Sequence, residues 1–164
     1  MKLKHVWSVL CKESTINQDD NVISLYGVLE ELNITLTPIK GSGADSPEKV
    51  GIPINYEIVS MWIKNNKKEI VKAEIEYTLV SPTGKELLKT IQNAEIPETS
   101  KRFRSRMKIS GIQVEKEGEY NFRVRIKELG SDIFKTVCEL PLEIKIQFSK
   151  QQDVNLEDKH FVKP

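Results

Sequence analysis

The chain has 164 residues, of which 38% are hydrophobic and 30% charged, and 25 lysines and arginines balance 24 acidic residues. A chain of this length can bury the core of one ordinary domain without disulfides or metals to hold it together. The net charge of +1 argues against a protein built mainly to bind the nucleic acid backbone. The composition also excludes a disordered acidic tail and an integral membrane protein.

The beginning of the chain faintly resembles a signal peptide, because two lysines precede a short apolar run at 6–11. The run is broken by Ser8 and charged residues follow it at once, so it is too short for a secretory signal. Cys11 and Cys138 lie in strand-like segments at opposite ends of the chain, and we expect both to be reduced and buried. A disulfide is possible if the first and last strands pair, but it is not expected. These features predict a cytoplasmic protein without membrane contact.

Apolar and polar residues alternate with a period of two along most of the chain, which indicates strands with one wet face. The first strand is predicted over about 2–12 and the second from 21 to about 26. Beyond the second strand, the pattern fits either a bulge at Gly27 or one helical turn through Glu30-Glu31. A long loop rich in glycine and proline is predicted over 37–52.

Three strands are predicted in the middle of the chain. Residues 54–63 are apolar at both parities, which is typical of a central strand covered on both faces or of a bulge that exchanges the faces. A polar turn at 65–68 leads to a strand at 69–81. The proline and glycine within 81–85 then predict a hairpin with a strand at about 86–95.

The last strands are predicted over 119–127 and 133–148. Pro141 interrupts the second of these, because proline has no N–H for the ladder. This segment is therefore an edge strand, or it is divided by a bulge or a change of sheet near Pro141. An exposed edge there would also allow self-association. We predict one all-β domain over 1–148, with a polar C-terminal tail at 149–164.

Gly118 and Tyr120 stand two residues apart, and Ile112 precedes them, in a segment that resembles the corner between strands E and F of immunoglobulin-like domains. In that corner a glycine turns the chain, a tyrosine hydroxyl returns to the backbone, and an apolar residue plugs the end of the sandwich. Lys116 stands where the antibody pattern has aspartate, and Phe122 where it has cysteine. The predicted fold is thus an antiparallel two-sheet immunoglobulin-like sandwich of about eight strands, without the disulfide.

A second resemblance is carried by residues 7–11, by residues 21–31, by Gly118-x-Tyr120-x-Phe122 and by Leu140-Pro141-Leu142. With these segments the chain is similar to a family of short, uncharacterised bacterial cytosolic all-β proteins. The resemblance implies a cytoplasmic location and implies no activity.

Catalytic and metal-binding motifs are sparse. The two histidines are His5, inside a strand, and His160, in the tail, and neither cysteine has a neighbouring histidine motif. Nucleophile elbows, zinc-type spacings and phosphate-binding glycine loops do not occur. Asp19-Asp20-Asn21 could offer oxygen ligands to calcium, but a polar turn that bonds its own backbone is the favoured interpretation. We expect no catalytic residues, no metal and no cofactor.

The five arginines are clustered, whereas the 20 lysines are spread along the chain. The arginines are Arg102, Arg104, Arg106, Arg123 and Arg125. The first three share one face of one strand, and the last two share the outer face of another. If these strands are hairpin neighbours, the guanidinium groups form one patch that suits a phosphorylated, nucleic acid or acidic protein partner. If the chain crosses between sheets near Ile112, the rows separate and pair with carboxylates such as Glu74 and Glu76.

We therefore expect a non-catalytic module, not an enzyme, that binds a protein partner through the 37–52 loop and the Arg102–Arg106 row. The alternative is a small-ligand or carbohydrate-binding module that uses Tyr26 or Trp62 as a stacking platform, although Trp62 is favoured as a core residue. A metal-dependent enzyme is the third hypothesis. Formation of a homo-oligomer through an edge strand also stays open.

Overall fold

The computed structural model describes residues 2–36, 50–66 and 68–149, and every regular element in these ranges is a β-strand. These ranges contain no helix with the length and apolar character of a membrane span. The predicted 37–52 loop falls outside them up to residue 49, and the predicted tail falls outside them from residue 150. The strands are β1 (Leu3–Ile16), β2 (Ile23–Val28), β3 (Glu31–Leu36), β4 (Val50–Lys64), β5 (Val71–Val80), β6 (Glu86–Ile96), β7 (Arg102–Val114), β8 (Gly118–Glu128) and β9 (Lys135–Phe148).

The nine strands form two sheets. The four-stranded sheet has the order β2-β1-β4-β7, and the five-stranded sheet has the order β3-β9-β8-β5-β6. Neighbouring strands are antiparallel except for β3 and β9, which are parallel. The predicted all-β two-sheet sandwich is confirmed, with nine strands in the described ranges where about eight were expected.

The additional strand is β3, and it begins where the sequence left a helical turn open. After Val28 the chain crosses to the other sheet through Leu29 and Glu30. Leu29 N donates to Leu10 O at 2.9 Å, and Glu143 N donates to Glu30 O at 2.9 Å, so strands of both sheets hold this crossing extended. β3 runs parallel to β9, so this one pair departs from the predicted antiparallel sandwich, which the other strand pairs confirm.

The last strand, β9, pairs with β8 on one side and with β3 on the other from Glu143 onward. Among the described strands, the edge-strand prediction is therefore confirmed for Lys135–Leu142 and wrong for Glu143–Phe148. β3 pairs only with the segment Glu143–Phe148. The Glu143 N–H points toward β3, and Pro141, two residues earlier, directs its nitrogen to the same side, before β3 begins. The proline therefore removes no hydrogen bond from the ladder, and β9 stays in one sheet throughout.

The predicted hairpin in the middle of the chain is confirmed as β5 and β6. Gly84 N donates to Ser81 O at 2.9 Å, and Ser81 N donates to Lys85 O at 2.8 Å. Gly84 has a φ of 83°, which a residue without a side chain adopts readily. The turn residues therefore set the pairing of the two strands.

The predicted corner between the sheets is also confirmed, because β7 and β8 belong to different sheets. The Tyr120 hydroxyl donates to Lys116 O at 2.8 Å and accepts from Glu115 N at 3.0 Å. Ile112 is only 4% exposed, as expected of a residue that plugs the end of the sandwich. The corner thus ties the crossing chain to the beginning of β8.

The core lies between the two sheets. Trp62 is fully buried, which confirms its assignment to the core, and each large apolar side chain of this kind contributes about 1.5–3 kcal/mol when removed from water. The largest buried side chains include Trp62, Tyr77, Tyr120, Phe122, Ile58 and Ile75. The outer faces of the two sheets lie outside this core.

Candidate interaction face

The two arginine rows lie on different sheets. The row of Arg102, Arg104 and Arg106 belongs to β7, and the pair Arg123 and Arg125 belongs to β8. The hypothesis of one patch of five guanidinium groups is therefore wrong, because the chain crosses between the sheets after β7. The alternative arrangement, with the rows on opposite outer faces, is confirmed.

Acidic partners neutralise the arginines of β8. Arg125 Nη1 lies 2.6 Å from Glu76 Oε1, and Lys89 Nζ lies 3.0 Å from the other oxygen of this buried carboxylate. The outer face of the five-stranded sheet is thus a network of paired charges, which confirms that Glu74 and Glu76 are partners of strand cations. The further ion pairs on this face are Arg123–Glu139, Lys127–Glu74 and Lys72–Glu95.

The arginines of β7 make different contacts. Arg104 donates through Nη1 and Nη2 to the side-chain and main-chain oxygens of Asn21, both at 2.8 Å. Arg106 Nη1 donates to Ser14 O at 3.2 Å. Because β4 lies between β7 and β1, both side chains cross the outer face of β4. Arg102 is exposed and makes no hydrogen bond or ion pair with any described residue.

The polar turn between β1 and β2 contains Asn21, which accepts the hydrogen bonds of Arg104. Asp20 Oδ1 accepts from Val22 N at 3.0 Å, and Asn17 Oδ1 accepts from Asp19 N at 3.0 Å, so the self-bonded turn favoured from the sequence is present. Within the described ranges, no three histidine, cysteine, aspartate or glutamate side chains are grouped as a metal ion would require.

The outer face of β4 is apolar, which explains why 54–63 is apolar at both parities. Val59 is buried, whereas Met61 and Ile63 are half-buried. On β1, Val9 and Trp7 stand opposite Val59 and Met61 in the ladder and share their face. We define the Trp7 face as this apolar set together with the arginine row of β7: Trp7, Val9, Val59, Met61, Ile63, Arg102, Arg104 and Arg106.

The electrostatic balance of this face is positive. Glu57 is 5% exposed, and its Oε2 accepts a hydrogen bond of 2.6 Å from Ser14 Oγ. Arg106 and Lys108 both lie 3.8 Å from the same carboxylate. The outer side of β7 carries four cations, which are Arg102, Arg104, Arg106 and Lys108. Among the described residues, Glu57 is the one acidic group within ion-pair distance of any of them. An acidic surface would therefore be attracted to this face.

A row of three serines crosses the inner face of the four-stranded sheet, and the sequence analysis missed it. Ser8 pairs with Ser60, and Ser60 pairs with Ser105, across β1, β4 and β7. The Ser8 and Ser60 hydroxyls share a hydrogen bond of 2.7 Å, and Ser105 Oγ accepts from Trp62 Nε1 at 2.8 Å and from the Tyr77 hydroxyl at 2.9 Å. The one sign of this row in the sequence is that each serine stands at a position that the alternation assigns to the core-facing side of its strand.

His5 is attached to one end of this serine row. Its Nε2 shares a hydrogen bond of 2.8 Å with Ser8 Oγ, and its ring meets the edge of Trp62 with centroids 5.1 Å apart. Burial lowers the pKa of the imidazole. Ser8 is half-buried, and its Oγ also shares a hydrogen bond with the fully buried Ser60. The prediction of a partly buried strand histidine is confirmed.

Both cysteines are free thiols. Cys11 is buried on β1 and Cys138 is half-buried on β9, so they belong to different sheets, and the first and last strands do not pair. Burial raises the pKa of both thiols, which favours the unreactive protonated form.

No protein-family model matches the chain, and no curated protein matches it in sequence. Among solved structures the chain is similar to the C-terminal domain of Wzt, at 9% identity over 99% of this chain and 84% of that chain, with a TM-score of 0.46. It is also similar to the structural genomics target SoR45, at 9% identity over 99% and 96% of the two chains, with a TM-score of 0.39. For the N-terminal domain of PorA the identity is 9%, the coverage 85% and 97%, and the TM-score 0.26. These scores are low, so the fold class rests on the strands and their pairing.

Proposed function

We propose that this chain is a non-catalytic module that binds a protein partner through the Trp7 face. One observation carries the proposal: half-buried tryptophan, methionine and isoleucine side chains lie beside arginines on the outside of a sheet. Tryptophan, methionine and arginine are the residues enriched in protein interfaces, whereas acidic residues and lysine are depleted there. The outer face of the other sheet, with its paired charges, has the opposite character.

The charge of the face defines the partner's chemistry. Arg102 is exposed and free of ion pairs with the described residues, and the single carboxylate of Glu57 is shared by Arg106 and Lys108. A partner surface with acidic residues around an apolar centre would complement this arrangement. The 37–52 loop was the other expected contact, and up to residue 49 it lies outside the described residues.

The local chemistry supports a binding role over catalysis. The serine row is engaged in core hydrogen bonds, and the pKa of both thiols is raised by burial. Two free thiols also suit the reducing interior of a cell, which is the location we propose. The carbohydrate-binding alternative loses one of its two platforms, because Trp62 is fully buried while Tyr26 is 52% exposed.

Site-specific photo-crosslinking in the source cell tests the proposal. A photoreactive amino acid at Met61 is expected to give one adduct of defined mass that saturates with expression level. The same adduct should disappear when Arg102→Glu is introduced, and the photoreactive residue at Lys72, on the other sheet, should not form it. Equal adducts from both positions, or an adduct indifferent to Arg102→Glu, would contradict the proposal.

A further inference from the structure

We propose that the open edge of β7 accepts an extended segment of the partner as an additional strand, with acidic and apolar residues at alternate positions. The inference rests on the proposed function and specifies the form of the partner. It follows from three features of β7: a ladder edge that no described strand covers, an apolar cleft at its C-terminal end, and two exposed cations on its outer face.

The first feature is the edge. Within the part of the chain that the structure describes, β7 is the last strand of the four-stranded sheet and pairs with β4 alone. Its regular part, from Arg102 to Ile109, therefore presents main-chain donors and acceptors on the other side, up to Gly111, where φ is 82° and the register with β4 shifts. An extended segment that adds to such an edge gains main-chain hydrogen bonds regardless of its sequence, and its side chains then decide specificity.

The second feature is the cleft. β6 and β7 are the edge strands of the two sheets on the same side of the sandwich, and between them opens a cavity of about 390 Å³. Its lining from β7 is Ser110–Gln113, so the inward-pointing side chains of an added strand would reach the cavity where that strand passes the C-terminal end of β7. Apolar side chains fit best there, since the lining includes Ile52, Tyr56, Leu79, Leu87, Leu88 and Ile112.

The third feature is the charge on the other side. The outward-pointing side chains of an added strand would lie nearest Arg102 and Lys108, which are both exposed, whereas the side chains of Arg104 and Arg106 extend the other way, across β4. Acidic residues at this parity would form cross-strand ion pairs, each worth about 0.2–1 kcal/mol. A second copy of β7 would instead place cations opposite cations, so self-pairing at this edge is disfavoured. The occupant that fits is an acidic, amphipathic strand from another protein.

Titration calorimetry with synthetic peptides tests this inference. The probe is a peptide of about eleven residues that alternates glutamate with valine, long enough to cover most of β7. We expect saturable binding at low salt that is about tenfold or more tighter than binding of the same peptide with lysine in place of glutamate. The variant Lys108→Glu should weaken binding several-fold, whereas Lys72→Glu, on the opposite sheet, should not.

Backbone methylation separates strand addition from simple charge attraction. In an added strand every second N–H points toward β7, so N-methyl groups at that parity should abolish binding, and N-methyl groups at the other parity should leave it intact. Equal effects of both methylation patterns, equal binding of the lysine peptide, or no binding would each overturn the inference. A crosslink at Met61 that depends on Arg102 would still support the proposed function in that case, so the two failures can be distinguished.

Discussion

At the scale of single residues, Tyr120 links the two sheets through one hydroxyl. Its hydroxyl accepts a hydrogen bond from Glu115 N and donates one to Lys116 O, and both hydrogen bonds are lost when it is removed. We expect Tyr120→Phe to lower the free energy of unfolding by about 0.5–1.5 kcal/mol, which is the usual net contribution of an intramolecular hydrogen bond. Urea denaturation measures this change. Tyr26→Phe is the matched control, since Tyr26 is 52% exposed, and equal effects of the two variants would contradict the role of the corner.

His5 makes stability dependent on pH. Burial lowers the pKa of its imidazole below the ordinary value of 6.5, so the unfolded chain binds a proton at a higher pH than the folded chain does. The free energy of unfolding should therefore decrease as the pH falls from 6.5 toward the folded pKa, and should show no further loss from this group below it.

The comparison of wild type with His5→Gln isolates this contribution. Urea denaturation at a series of pH values should show a smaller decrease for the variant between neutral and mildly acidic pH. His160 is present in both proteins and cancels in the difference. A parallel decrease in both proteins would assign the pH dependence to other groups.

At the scale of elements, Arg104 connects β7 to the turn between β1 and β2 through its two hydrogen bonds with Asn21. Arg104→Ala removes both hydrogen bonds to Asn21 and uncovers the outer side of β4, so we expect a loss of about 1–2 kcal/mol in the free energy of unfolding. Hydrogen exchange at the turn should also become faster. Arg102→Ala is the control and should change stability by less than about 0.5 kcal/mol, because Arg102 is exposed. The opposite order of effects would contradict the assignment of Arg104 as a structural arginine.

The strands themselves were largely predictable from the sequence. Alternation located β5, β8 and β9, and the turn residues at Ser81–Lys85 identified the hairpin. The crossing at Leu29 and Glu30 was not predictable, because its hydrogen bonds go to Leu10 and Glu143, which local sequence cannot bring together. For the same reason the parallel pairing of β3 and the inner position of β9 from Glu143 onward required the structure.

At the scale of the whole molecule, the arginine cluster shows how far sequence can identify a site. The spacing of the arginines assigned them to two strand faces, and the corner at Tyr120 correctly separated those faces. The contacts of Arg104 with Asn21, 83 residues earlier, could not be foreseen, because they depend on the order of strands in the sheet. The sequence showed that β4 is apolar on both faces. It did not show that the outer face of β4 forms one surface with the neighbouring strands.

We propose that one outer face of the sandwich binds a partner and that the other does not. The most direct test measures the affinity of the crosslinked partner, once purified, for wild type, Arg102→Glu and Arg123→Glu. Arg102→Glu should raise the Kd by about tenfold or more, equivalent to about 1.4 kcal/mol, whereas Arg123→Glu should leave the Kd nearly unchanged. Equal weakening by both variants, or weakening by Arg123→Glu alone, would contradict the claim.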